Sequence, residues 1–303
     1  MRALITGVSG FVGPYLTQLL VSKNIKVFGI ARSNFSFQEK MVYYKVDLLD
    51  KNTTKKAVTE INPDYIFHLA GISSVKQSWD DPELTYKINV GGTDNLISSI
   101  PKASCTKILF VSTAEVYGIP KEVPITEKHK VNPQNPYGKS KLEAEKIVEE
   151  SGFDYIISRS FQHIGPRQRL GFVCPDFAKQ IIDIEKGKQK PIMYVGNLEA
   201  KRDFTDVRDV VQAYYLAMTK GTYGEIYNIC SGKSYLIKDI LNSFLAISKI
   251  KIEVKQDPEK MRPIKIPVQV GDNSKFVKQT GWQPKISIKE SLKDIMDYWR
   301  KKV

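Results

Sequence analysis

The sequence predicts an α/β protein built around a doubly wound parallel sheet, and three observations carry that reading. Short apolar runs alternate with helical patterns through the first half of the chain. Those runs are close to continuously apolar, so both faces of the sheet they form should be covered. A glycine-rich turn, TGVSGFVG at 6–13, separates the first run from the first helical stretch. Strands joined through helices connect by right-handed crossovers.

RALIT (2–6) opens the sheet, followed by a helix near 12–22, then KVFGI (26–30) and MVYYKV (41–46). A helix near 53–60 precedes DYIFHLA (64–70), and a long helix near 83–99 precedes KILFVS (107–112). Another helix begins near Lys139 and leads into DYIISRS (154–160). Beyond this strand the regular alternation decays. A loop at 165–172 leads to a helix near 175–186, and EIYNI (225–229) and KIEV (251–254) read as isolated short strands. The expected division is a dinucleotide-binding domain over 1–164, with later segments returning to it, and a smaller α/β substrate-binding lobe over 165–303.

With 303 residues, 42% of them hydrophobic, the chain can bury a large core. No apolar stretch reaches the roughly 20 residues of a membrane span, and the first strand begins at Arg2, so a cytoplasmic protein without membrane partners is expected. The net charge of +13 is spread along the chain without a dense basic block, which argues against nucleic acid as a partner. Cys105, Cys174 and Cys230 are far apart and accompanied by three histidines in no ligand spacing, so neither disulfides nor a metal site is expected. Buried or partly buried free thiols are the expectation for all three.

Gly7, Gly10 and Gly13 lie between a strand and a helix, with Phe11 and Val12 among them. That setting lets a diphosphate approach the backbone amides at a helix N-terminus. The second strand ends in GIARSN, with no carboxylate for an adenosine ribose, and Arg32 and Ser33 could hold a 2′-phosphate. NADPH is therefore favoured, with NADH as the alternative. Asp47 and Leu48 fall where an adenine could rest. Leu69, Ala70, Gly71 and Ser73, within HLAGISS, are small enough as a group for a cofactor to cross the sheet edge.

In NPYGKSK, Tyr137 and Lys141 share one face of a helix start. A phenol titrates near 10, and Lys141 could supply the cation that lowers it. Thr113, in VSTAEVYG, offers a hydroxyl to the same substrate oxygen.

Taken together, TGVSGFVG, HLAG, Asn89 in INVGGT, STAEVYG, YGKSK, RSFQHIGP, KRDFTDVRDVV and the late MRP make the chain resemble the extended short-chain dehydrogenases/reductases over essentially its whole length. These are Rossmann-type epimerases, dehydratases and reductases of nucleotide sugars. HIGPRQRLGFVCPDFAKQ, VGNLEAKRDFTDVRDVVQAYY and MRPIKIP narrow the resemblance to reductases of GDP-linked 4-keto-6-deoxy sugars. It implies that Tyr137 gives a proton to the sugar C4 oxygen, that Lys141 tunes it while holding the nicotinamide ribose, and that Thr113 bonds the same oxygen. It also implies substrate contacts from Ser112, Thr113, Glu115, Gln162, Phe172, Val173 and Lys179, diphosphate contacts from Arg202 and Arg262, and a homodimer through the helices near 83–99 and 139–150.

Two departures qualify the resemblance. Gln162 stands where the family has asparagine, one methylene shorter. Ala114 stands where the dehydratases carry an acid or a hydroxyl, which tilts the reading from elimination towards reduction. A 4,6-dehydratase or 4-epimerase on the same scaffold is the alternative, and a non-catalytic dinucleotide sensor the third reading.

Overall fold

The computed structural model describes residues 1–33, 40–261 and 266–302. Its strands are β1 (Arg2–Thr6), β2 (Lys26–Ala31), β3 (Met41–Lys45), β4 (Tyr65–His68), β5 (Lys107–Thr113), β6 (Asp154–Ser160), β7 (Gln162–Ile164), β8 (Ile192–Val195), β9 (Lys201–Asp206), β10 (Glu225–Ile229), β11 (Ser234–Leu236), β12 (Glu253–Gln256) and β13 (Val268–Gln269). The α-helices are α1 (Gly13–Ser22), α2 (Lys51–Ile61), α3 (Val75–Asp80), α4 (Pro82–Tyr86), α5 (Gly92–Ser98), α6 (Pro136–Glu149), α7 (Val173–Glu185), α8 (Val207–Lys220), α9 (Ile237–Ile247), α10 (Ser274–Thr280) and α11 (Ile288–Lys302).

Seven parallel strands form the main sheet in the order β10-β6-β5-β4-β1-β2-β3. The order reverses between β1 and β4, which opens a crevice at the carboxyl ends of these two strands. Strand alternation accounts for the two covered faces. Ala3, Ile5, Phe67, Leu109 and Ile156 pack with α1 and α8, whereas Leu4, Ile66, Ile108, Phe110 and Ile157 pack with α2, α5 and α6. EIYNI, read from the sequence as an isolated strand, is instead β10 at the edge of this sheet, paired in parallel with β6. Its sequence neighbours gave no sign of the partner, because β6 lies far upstream.

The second body packs α7, α9 and α11 around Phe177, Ile181, Phe244, Leu292 and Trp299. Three strands run in the order β11-β9-β13, with β7 also paired to β9, while β12 pairs with β8. β7 follows β6 almost directly, so the chain steps from the main sheet into the second body at Phe161.

Local sequence explains the helix starts nearest the crevice. Asp50 caps α2 by accepting from the Asn52 and Thr53 amides, and Asn135 caps α6 by accepting from the Gly138 amide at 2.8 Å, with Pro136 in the first turn. The helix expected near 83–99 runs without a break from Pro82 to Ser98 but changes its hydrogen-bond pattern midway. α4 passes through a π-helical turn, Lys87–Gly91, into α5. The buried Asn89 side chain points inward from this turn and bonds the Ile72 backbone, a contact that a regular helical pattern does not disclose.

Candidate active site

The first turn of the crevice is shaped by two glycines. Gly7 has φ of 68°, and a Cβ there would stand 2.8 Å from the Ala70 backbone. A Cβ on Gly13 would stand 2.1 Å from the Val8 carbonyl oxygen, so only glycine lets α1 pack this closely on the turn. The turn therefore packs tightly between the exit of β4 and the start of α1, a strand-turn-helix arrangement that fits a dinucleotide diphosphate at the α1 N-terminus. Phe11 packs edge-on against Tyr15, whose phenol donates to the Pro166 carbonyl at 2.7 Å. Gly10 closes the turn by donating to the Gly7 carbonyl, and Val12 precedes α1 without a side-chain cap.

β5 and α6 bring the candidate catalytic groups together. Thr113 ends β5, and its hydroxyl accepts from the Glu115 amide at 3.2 Å and also interacts with the Tyr137 phenol. Burial lifts Tyr137 to about 12, against the Thr113 hydrogen bond, while the Glu115 carboxylate adds to the rise. Lys141 is buried with Nζ 4.0 Å from the centre of the Phe110 ring, and burial pulls it down to about 7, opposed by Glu145. The expectation that Lys141 lowers the phenol is not met in this arrangement. Its ammonium sits over Phe110, and the groups acting on Tyr137 are Thr113 and Glu115.

Behind these residues runs a hydrogen-bonded chain whose direction can be assigned from its partners. The Ala70 amide donates to Thr6 Oγ1 at 3.2 Å, Thr6 meets His68 Nδ1 at 2.7 Å, and His68 Nε2 meets Thr93 Oγ1 at 2.9 Å. Thr93 spends its proton on the Asn89 carbonyl at 2.6 Å, so His68 Nε2 must be the donor and Nδ1 the acceptor. Burial pulls His68 down to about 3, in keeping with this neutral tautomer, and the nearby Lys141 charge acts in the same direction. Asn89 then donates to Ser140 at 2.9 Å, and Ser140 to the Tyr137 carbonyl at 2.8 Å.

Several expected substrate residues are engaged elsewhere. Ser112, next to Thr113, faces the opposite side of β5 and donates to the Glu145 carboxylate. Glu145 also takes Arg159 Nη2 at 2.7 Å, so Ser112 belongs to a buried network and its hydroxyl does not face the crevice. Lys179 pairs with Asp183 one turn along α7. Arg202 donates to the Lys201 and Ile266 carbonyls at 2.8 and 2.9 Å, tying β9 to the segment before β13. Gln162 donates to Gln269 Oε1 at 2.7 Å, leaving Gln162 Oε1 and Gln269 Nε2 buried without a protein partner. Glu115 is held by Asn135 Nδ2 at 2.7 Å. Phe172 and Val173 begin α7, with the Arg169 guanidinium 5.8 Å from the Phe172 ring.

Ala114 also changes meaning. Its methyl is buried with Val116, Ile125, Phe161 and Cys230, so an apolar residue there is required by packing as much as by chemistry. Among the expected cofactor contacts, Leu48 is buried in the core and its carbonyl accepts from Asn95 at 2.9 Å, whereas Asp47 caps the Leu49 amide at 3.0 Å. Leu69 and Ala70 are partly buried and Gly71 and Ser73 exposed at the end of β4. Arg32 is exposed beyond β2, and Arg262 lies outside the described residues. Cys105 is exposed, contrary to expectation, because it falls in the loop before β5; Cys174 and Cys230 are buried.

Sequence reasoning named Asn89, His68, Ser140 and Arg159 only as parts of motifs and passed over Glu145. The repeat of Tyr137, Lys141 and Glu145 at four-residue spacing was the available signal for Glu145. Nothing local marks the bonds of His68 to Thr6 and Thr93, of Ser140 to Asn89 or of Arg159 to Glu145, since each crosses from one element to another.

The family description GDP-mannose 4,6 dehydratase matches residues 4–295. The chain belongs to the GDP-mannose 4,6-dehydratase family. Members of differing activity resemble it. It is 34% identical, over all of its length and 98% of the relative's, to GDP-6-deoxy-D-mannose reductase of Pseudomonas aeruginosa. It is 29% identical to GDP-mannose 4,6 dehydratase 2 of Caenorhabditis elegans, over 97% of this chain and 87% of that one. Among solved structures, RMD from Pseudomonas aeruginosa complexed with NADPH aligns with a TM-score of 0.88 and 32% identity, covering 100% of this chain and 99% of that one. UDP-glucose 4-epimerase from Thermotoga maritima with UDP-glucose aligns at 0.89 and 28% identity, over the same shares. These likenesses establish the Rossmann-type fold for this family member, and among the described residues no helix is long and apolar enough to cross a membrane.

Proposed function

We propose that the protein is an NADPH-dependent reductase of a GDP-linked 4-keto-6-deoxy sugar, converting GDP-4-dehydro-6-deoxy-D-mannose to GDP-D-rhamnose. The observation that carries this reading is the Tyr137 phenol held at the Thr113 hydroxyl: a phenol, which ordinarily titrates near 10, is a proton donor at neutral pH, and desolvation raises it further. A ketone reduction needs a proton donor at the carbonyl oxygen, whereas an elimination or an alcohol oxidation begins with a base. The likeness to the Pseudomonas aeruginosa reductase and to the NADPH complex supports the same direction.

The dinucleotide would be held by the turn from Gly7 to Gly13, by Leu69, Ala70, Gly71 and Ser73 at the end of β4, by Tyr137 and Lys141, and by Arg32 at the adenosine 2′-phosphate. Bound NADPH supplies the hydride. Tyr137 donates its proton to the C4 oxygen, and Thr113 fixes that oxygen by a second hydrogen bond. Lys141 holds ribose hydroxyls, and Glu115, steadied by Asn135, positions the sugar. Gln162 and Gln269 supply a free acceptor and a free amide to the substrate side. Arg202 would bind the nucleotide diphosphate, a role that the family resemblance also gives to Arg262. In this reading the enzyme is cytoplasmic and works as a homodimer, and exposed Trp79 on α3 and Leu84 on α4 give the helices beside α6 an apolar face to pair.

The test supplies GDP-, dTDP- and UDP-linked 4-keto-6-deoxy sugars with NADPH or NADH and follows dinucleotide absorbance. The expected result is oxidation of NADPH with the GDP-linked ketone, reduced by about 10²-fold or more in Tyr137→Phe. Turnover of GDP-mannose without net dinucleotide loss would instead identify a dehydratase, and Glu115→Gln should then abolish it. Binding of dinucleotide without turnover of any sugar would favour a sensor.

A further inference from the structure

Lys141 and Glu145 stand one turn apart on the buried face of α6, with 5% and 1% of their surfaces exposed. The Lys141 ammonium lies over the Phe110 ring, which attracts a cation but replaces only part of its lost hydration. Glu145 is the group that acts on Lys141 in the favourable direction. Its carboxylate is fixed from two strands, by the Ser112 hydroxyl on β5 and by Arg159 on β6, whose Nε lies 3.1 Å and Nη2 2.7 Å from it. Arg159 in turn lies 5.0 Å from the centre of the Tyr117 ring.

Few other charges reach Lys141. Tyr137 shares its helix, and His68 on β4 is neutral. Glu115, in the turn after β5, acts on Tyr137. Lys76 and Asp80 on α3, Glu83 on α4, Lys87 in the π-helical turn and Asp94 on α5 are exposed.

We propose that Glu145 is a positioning residue for Lys141: held by Ser112 and Arg159 one turn along the same buried helix face, its carboxylate favours the charged form of Lys141 that would bind the dinucleotide ribose. The inference rests on the reading of Lys141 as a dinucleotide-binding residue. A merely structural ion pair would be replaceable by packed apolar side chains, because their burial carries no desolvation cost. A carboxylate that sets the state of Lys141 is not replaceable in that way.

The experiment compares the full chain with Glu145→Leu/Arg159→Met, which removes the pair together, and with Glu145→Gln, which keeps its shape. Folding is checked by near-ultraviolet circular dichroism. The Lys141 midpoint is read from the ¹³Cε shift of lysine-labelled protein, assigned with Lys141→Arg, and NADPH affinity from its fluorescence across pH. In folded Glu145→Gln the midpoint is expected to fall by about one pH unit, as befits loss of a neighbouring opposite charge while Arg159 stays, and by less in the double variant, which also removes that like charge. In Glu145→Gln, NADPH binding should weaken about tenfold near pH 8 and little near pH 5, where Lys141 is charged in every form. An unchanged midpoint in folded Glu145→Gln overturns the proposal and leaves Glu145 as a strand tie. Failure of the unmodified chain to bind NADPH at any pH would overturn the dinucleotide reading instead, leaving the midpoint comparison intact.

Discussion

The Asn89 carboxamide donates to the Ser140 hydroxyl at 2.9 Å while its oxygen accepts from the Ile72 amide at 2.7 Å. One buried side chain therefore joins the exit of β4 to the first turns of α6. The π-helical turn is what aims it there, and Ser140 carries the connection to the Tyr137 carbonyl. α6, which carries Tyr137 and Lys141, is thus held by the crevice wall that would contact the dinucleotide.

Asn89→Ala strands the Ile72 amide and carbonyl and one bond of Ser140 in a buried setting. Each unsatisfied group costs about 1–3 kcal/mol, so the expected loss is at least about 2 kcal/mol in urea unfolding. Turnover should fall further than dinucleotide affinity, because Tyr137 loses its support while the glycine turn is untouched. Unchanged stability and unchanged turnover would show the link to be dispensable.

The same link shows where the sequence was legible. RALIT, DYIFHLA and DYIISRS carry apolar runs long enough to mark strands, and the glycine turn marks the crevice, because both signals are contained in consecutive residues. Tyr137 and Lys141 could be paired from their spacing because a helix repeats every 3.6 residues. Gln269 opposite Gln162, Arg159 at Glu145 and β10 beside β6 depend on topology, which no local pattern encodes. Ser112 shows the limit within a strand: its alternation with Thr113 was readable, but which residue faced the crevice depended on how α6 packs.

His68 makes stability depend on acidity. Its folded-state pKa of about 3 lies below the ordinary value of about 6.5, so the unfolded chain binds the extra proton between those values. The neutral-state contribution is complete above about pH 6.5 and is lost as pH falls, at up to about 1.4 kcal/mol per unit for this one group. His163, pulled down to about 4 by burial, adds a second slope of the same sign. Urea unfolding between about pH 5 and 6.5 should show this loss, and His68→Gln should remove one proton from the slope. An unaltered slope in that variant would mean that His68 does not titrate on unfolding.

Gly13→Ala tests the closeness of the turn and α1. The added Cβ would meet the Val8 carbonyl oxygen at 2.1 Å, and backbone must move to relieve it. Overpacking of this kind costs about 1–3 kcal/mol, so a lower urea midpoint is expected together with a loss of dinucleotide affinity greater than tenfold. A variant that binds NADPH normally would place the diphosphate away from this turn.

Arg32 is expected to decide between the two dinucleotides. It follows Ala31 at the end of β2, where the Tyr43 phenol donates to the Ala31 carbonyl at 3.1 Å and steadies the strand exit. A guanidinium there can pair with a 2′-phosphate, and NADH offers it only a hydroxyl. Arg32→Ala should raise the KM for NADPH about tenfold or more and leave that for NADH nearly unchanged, with kcat little altered because the reacting ring is distant. The selectivity should also decline with added salt in the unmodified protein, since an exposed phosphate contact is screened over about 8 Å at physiological ionic strength. Equal effects on the two dinucleotides would assign Arg32 to the loop surface and leave the preference to residues beyond it.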